Sequence, residues 1–129
     1  VPKRILVADD EAHIRRVLEL KLKGAGYDVL AVASGAAALE EAKKSLPHLI
    51  LSDYQMPGEM TGLDLIREVR GTSELAGTPI ILLTGSVAIV EKLKTALPDF
   101  GNVIYMAKPF SPRGLLRVIR SALGEDEGN

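Results

Sequence analysis

Along this chain, short runs of apolar residues alternate with stretches in which apolar side chains recur every three or four positions. These are the spacings of buried strands and of helices packed along one face. Residues 5–8 read as a strand that stops at Asp9-Asp10. Ile14, Val17, Leu18 and Leu22 form a helical stripe, ended by Gly24 and Gly26. Residues 28–32 read as a second, shorter strand. Ser34-Gly35 opens an alanine-rich helix with Leu39, Ala42 and Leu46 inward and Pro47 as its stop. Residues 48–52 give a third strand, and Leu63, Ile66, Val69 and Arg70 fit a third helix whose outer face carries Asp64, Arg67 and Glu68. Thr78-Pro79 leads into a fourth strand at 80–83, a fourth helix covers 88–97, and a fifth strand covers 102–107, before Lys108-Pro109. Ser111 caps a last helix with Pro112 at its first position and Leu115, Leu116, Ile119 and Leu123 on its core face.

Strand-helix alternation of this kind predicts an α/β fold, a parallel five-stranded sheet with helices on both faces and right-handed crossovers. The expected strand order is 2-1-3-4-5, with the short second strand at an edge. One domain is expected over residues 1–123, followed at 124–129 by an acidic C-terminal tail or linker stub.

Composition narrows the chemistry. With 129 residues, 47% of them apolar and 26% charged, the chain suits one domain with a single real core. The net charge of -1 gives no support for nucleic-acid binding by bulk charge. There is no cysteine, which excludes disulfides, zinc-thiolate sites and thiol catalysis and favours an intracellular protein. The first apolar run is too short for a signal peptide, and the longest uncharged stretch, 75–90, is shorter than a membrane span and broken by Gly77, Pro79 and Gly85.

In an open parallel sheet, ligands bind outside the carboxyl ends of the strands. The residues at those ends are Asp9, Asp10, Asp53, Thr84 followed by Gly85, and Lys108. Two carboxylates about 4 Å apart repel by roughly 4 kcal/mol at an effective dielectric near 20. One lysine cannot neutralise three of them, whereas a divalent cation can, and all-oxygen ligands favour Mg²⁺. A metal held beside a hydroxyl and an ammonium suits phosphoryl chemistry, with Asp53 as the candidate nucleophile and the backbone near Gly85 open to a phosphate.

The set Asp9-Asp10, Asp53-x-x-Met56-Pro57, Thr84-Gly85 and Tyr105-x-x-Lys108-Pro109-Phe110, in this order and each at a predicted strand end, resembles the CheY-like receiver domain of two-component response regulators. The resemblance runs from Lys3 to about Leu123 and implies a flavodoxin-like doubly wound (βα)5 sandwich. It implies a cytoplasmic signalling switch rather than a conventional enzyme. Asp53 would accept a phosphoryl group from a histidine kinase or histidine phosphotransfer protein, with only weak autophosphorylation and autodephosphorylation. Asp10, Asp53 and the backbone carbonyl of Gln55 would hold Mg²⁺, with Asp9 acting through water. Lys108 and Thr84 would contact the phosphoryl group, and Thr84 with Tyr105 would form the switch. A cis Lys108–Pro109 bond is implied, as is an effector domain or self-association through the face of helix four, strand five and helix five. No direct nucleic-acid or membrane contact is implied.

Two departures stand out: residues 57–62 run one residue longer than the commonest family loop, and an extended turn is expected near 98–101. Two other classes compete. Aspartate-nucleophile phosphohydrolases of the haloacid-dehalogenase type carry Asp-x-Asp after strand one, whereas here the acids are adjacent. A docking module that has lost its switch would not need the full polar set. Gly24-Ala25-Gly26 reads as a helix stop rather than a dinucleotide loop, His13 and His48 as solvated side chains, and Arg113, Arg117 and Arg120 as one solvated face of the last helix, with an output or dimer contact as the alternative.

Overall fold

The computed structural model describes residues 2–56, 58–96, 100–108 and 111–125. Five parallel strands, β1 (Arg4–Ala8), β2 (Asp28–Val32), β3 (Leu49–Asp53), β4 (Ile80–Thr84) and β5 (Val103–Ala107), form one sheet in the order β2-β1-β3-β4-β5. The helices among the described residues are α1 (Ala12–Gly24), α2 (Gly35–Ser45), α3 (Gly62–Arg70), α4 (Val87–Ala96) and α5 (Pro112–Ala122), with a 3-10 turn at Ser73–Leu75. Leu18 and Leu22 of α1 and Leu115 and Ile119 of α5 pack with Ile5, Val7, Leu49, Leu51, Ile81 and Leu83 on one sheet face. Ala38 and Ala42 of α2, Leu65, Ile66 and Val69 of α3 and Leu93 of α4 pack with Leu6, Ile50, Ile80 and Leu82 on the other. Covered on both sides, β3 and β4 are buried at every position, which is why they read as unbroken apolar runs.

The differences from the sequence reading are local. Leu46, expected inward, is half exposed and takes the left-handed conformation (φ 47°) as the C-terminal cap of α2, while Ala38 and Ala42 supply the buried stripe. The following Pro47 disfavours helical geometry at Leu46, so the helix stops one residue earlier than the pattern suggests. Leu65, absent from the predicted stripe, is fully buried. β3 and β4 each reach one residue further, taking in Asp53 and Thr84, and His48 lies outside β3. β2 does lie at an edge, but all five strands have five residues, so shortness is not the reason. The Lys108–Pro109 peptide, Phe110 and the first half of the extended turn lie outside the described residues.

What is described of that turn is braced from below by Arg70. Its guanidinium donates to the carbonyls of Phe100, Thr78 (2.8 Å) and Asn102 (3.0 Å), and burial lowers its pKa. A planar fork serves three acceptors where an ammonium cannot. Arg70→Met is therefore expected to cost roughly 2–4 kcal/mol in urea unfolding, with Arg70→Lys recovering less than half; a loss below about 0.5 kcal/mol would contradict the brace.

At the far end of α5, Gly124 (φ 73°) closes a Schellman turn through Gly124 N to Ser121 O (3.1 Å) and Glu125 N to Arg120 O (2.8 Å). Glu125, placed in the acidic tail by the sequence, is tied down: it accepts from the Tyr27 hydroxyl at 2.7 Å. Burial and this carboxylate push the Tyr27 pKa up to about 12.

Candidate functional site

Of the polar residues that the sequence places at strand ends, Asp9, Asp10, Asp53 and Lys108 converge on one cleft. Asp9, just beyond β1, is 1% exposed; Asp53, the last residue of β3, is 8% exposed; Asp10 is exposed. Ligand oxygens of these three residues lie within 4.8 Å of one another. Lys108, just beyond β5, reaches in with Nζ 3.2 Å from Asp53 Oδ1 and 3.8 Å from Asp9 Oδ2. Backbone hydrogen bonds across strand ends set these positions: Asp9 N to Val32 O (3.1 Å), Tyr54 N to Leu83 O (2.8 Å) and Lys108 N to Thr84 O (2.7 Å).

Asp9 is held by two contacts that the sequence pattern does not reveal. Its Oδ1 accepts from Glu11 N at 2.9 Å, and its carbonyl accepts from Arg15 Nη1 at 2.8 Å. Its Oδ2 is buried and accepts no hydrogen bond among the described residues. Burial raises the Asp53 pKa, and the Asp9 charge adds to this, while Lys108 opposes it. Three carboxylates, one of them with an orphaned buried oxygen, outnumber the single ammonium and form a donor set that fits a hard divalent cation.

The sign of the Asp53 shift makes a prediction. A raised folded-state pKa contributes stability that is present below the ordinary carboxylate range and lost as pH rises through the raised value. In EDTA at pH 7, Asp53→Asn is therefore expected to melt above the wild type, with the gap closing as pH falls towards 4. Millimolar Mg²⁺ is expected to raise the wild-type melting temperature more than the variant's. Equal melting at pH 7 and no response to Mg²⁺ would contradict the electrostatics.

The cleft is lined by Asp10, Glu11, Asp53, Tyr54, Gln55, Met56, Gly85, Ile89 and Lys108. Its floor loop is anchored at α3. Gly62 N donates to Tyr54 O at 2.9 Å, and a Cβ on Gly62 would lie 2.6 Å from both Asp53 O and Leu82 Cδ1. Thr61 and Asp64 form a reciprocal capping box in front of it, which holds the Asp64 carboxyl below the usual range. Gly58 takes φ 90° in the loop, and Gly35 leaves room for Met60, whose Cγ would lie 2.9 Å from an added Cβ. By contrast, a Cβ on Gly85 would meet nothing within 4 Å, so no packing within the protein requires glycine there, and its backbone lines the open cleft.

Thr84 does not join the carboxylates directly. It is fully buried at the end of β4, and its hydroxyl donates to Ser86 O at 3.1 Å. Tyr105 pairs in register with Leu82, which puts it on the same sheet face as Thr84 and diagonal to it; it is half-buried against the core on that face. Gln55 lines the cleft as an exposed residue. Among the described residues, no helix is long and apolar enough to cross a membrane.

The family model described as the response regulator receiver domain matches residues 5–120. The protein named "Probable transcriptional regulator ycf27" of Porphyridium aerugineum is 41% identical over 121 residues, covering 94% of this chain and 48% of that protein. The DNA-binding response regulator MtrA of Mycobacterium tuberculosis (strain CDC 1551 / Oshkosh) is 34% identical over 128 residues, covering 97% of this chain and 52% of that one. The chain thus spans about half the length of these relatives. Among solved structures, the chemotaxis response regulator CheY4 of Vibrio cholerae superposes with a TM-score of 0.83 at 32% identity, covering 95% of this chain and 99% of that one.

Proposed function

The chain belongs to the response regulator receiver domain family of two-component systems, whose members are regulatory phosphoacceptor domains, and from that premise we propose that Asp53 is its phosphoacceptor. The observation that carries this reading is the buried Asp53 carboxylate, 3.2 Å from Lys108 Nζ and within reach of Asp9 and Asp10. The phosphodonor is a histidine kinase or histidine phosphotransfer protein, and the domain, residues 1–123, works in the cytoplasm. An Asp53 oxygen forms the new P–O bond as the bond from phosphorus to the donor nitrogen breaks. Water later attacks the phosphorus, restoring the carboxylate and releasing phosphate.

Asp10, Asp53 and the Gln55 carbonyl would hold Mg²⁺, with Asp9 behind them through water. When bound, the cation supplies neutralisation of the charge gathered on the phosphoryl oxygens. Lys108 orients the Asp53 carboxylate before transfer and pairs with the added negative charge afterwards. Thr84 leaves its Ser86 carbonyl to donate to a phosphoryl oxygen. The space it vacates admits Tyr105, and the surface of α4, β5 and α5, which meets an effector domain or a second copy, is biased to its other state.

This switch is tested by amide exchange of α4 and β5 before and after phosphorylation, in the wild type and in Thr84→Ala. Exchange is expected to change in the wild type and to stay near its starting value in Thr84→Ala, although both take up phosphate. Identical responses in the two proteins would remove Thr84 from the switch.

A further inference from the structure

Arg15, near the start of α1, does not line the cleft, yet its guanidinium reaches back to the end of β1. Its Nη1 donates to the Asp9 carbonyl at 2.8 Å, and among the described residues it forms no ion pair. A cation near a helix N-terminus works against the helix dipole. α1 has no acid in its first turn and no side-chain cap at Glu11 to compensate. The stability of α1 therefore does not explain why an arginine stands there.

The carbonyl that Arg15 holds belongs to the peptide joining Asp9 to Asp10. A peptide is planar, so fixing its oxygen fixes the direction in which the chain continues to Asp10. Asp9 has other ties, from its own N to Val32 O (3.1 Å) and from Glu11 N to its Oδ1 (2.9 Å). The Asp10 side chain has none: it is exposed and makes no hydrogen bond or ion pair among the described residues. Yet its carboxylate lies within 4.8 Å of those of Asp9 and Asp53, which repel it towards water. We infer that Arg15 is a positioning residue for the cation site, holding the Asp9–Asp10 peptide so that both carboxylates stay beside Asp53. The inference rests on the reading that these acids bind Mg²⁺. Contacts that orient metal ligands from behind change metal affinity by about 10–100-fold. A role as a plain positive charge has the opposite sign. A guanidinium near the site repels Mg²⁺, so removing it would tighten binding.

The test is a titration of the full chain with MgCl₂ and no phosphodonor, followed by the amide NMR shifts of Asp10 and Tyr54. Wild type, Arg15→Met and Arg15→Lys are compared, with Arg15→Gln in place of Arg15→Met if that variant does not fold. Arg15→Met is expected to need about tenfold more Mg²⁺ for half-saturation. Arg15→Lys, which keeps a donor, is expected to lie between it and the wild type. Phosphoryl uptake from acetyl phosphate is expected to need more Mg²⁺ in Arg15→Met but to approach the wild-type rate once the cation saturates. A purely structural role would lower the melting temperature and leave the Mg²⁺ midpoint of the folded protein in place. The inference is overturned if the wild type responds to Mg²⁺ and the variant lacking the donor responds at the same or a lower concentration, or if Arg15→Lys is shifted as far as Arg15→Met. A wild type that shows no response to Mg²⁺ would remove the metal site itself, and this inference with it.

Discussion

Gly62→Ala is expected to unfold far more readily than the wild type and to lose most of its phosphoryl uptake, although the substitution adds one methyl group. Gly62 is the first residue of α3, behind the Thr61 cap, and it faces the end of β3. The added Cβ would sit 2.6 Å from Asp53 O, 2.6 Å from Leu82 Cδ1 and 3.0 Å from Tyr54 Cα. Leu82 has no room to move aside because it is wholly buried, and the other two contacts are backbone. Relief requires α3 to move away from β3, which breaks the bond from Gly62 N to Tyr54 O and tilts the strand end that carries Asp53. Overpacking of this kind costs roughly 2–4 kcal/mol, or about 10 °C in melting temperature for a domain of this size. Gly85→Ala, which meets nothing within 4 Å, is the matched control and is expected to stay within about 0.5 kcal/mol of wild type. Similar melting of the two variants would mean that the loop under Asp53 yields more easily than its packing implies.

That contrast between two glycines marks where sequence reading stops. The strand order and most of the site were legible because each apolar run ends abruptly at a polar residue, and a parallel sheet collects those ends. Asp9, Asp53 and Lys108 could be grouped for that reason, and the structure brings their charged atoms within 4 Å of Lys108 Nζ. Gly62 was invisible because its reason is a carbonyl nine positions earlier, on another element. Gly85 was singled out for the access it gives a phosphate, and within the protein its Cβ position is open. Arg70 gave no signal either: in the pattern it is the end of a helical stripe, and its three carbonyl partners come from segments 8 to 32 positions away. Leu46 follows the helical spacing but falls where Pro47 ends the helix, so its periodicity misled. Local period predicts elements well. It cannot report which distant backbone atom a side chain, or its absence, must meet.

The most direct test of the proposed function is the intact mass of the protein after incubation with acetyl phosphate, with and without Mg²⁺, for the wild type and Asp53→Asn. In that reaction an Asp53 oxygen takes the phosphoryl group and acetate leaves. Free phosphate is followed in the same samples, so that rapid hydrolysis is seen as release. The expected result is one added phosphoryl group, or Mg²⁺-dependent phosphate release, in the wild type, and neither in Asp53→Asn. A wild-type protein that gains no mass and releases no phosphate, or a variant that does either as readily as the wild type, would contradict Asp53 as the acceptor.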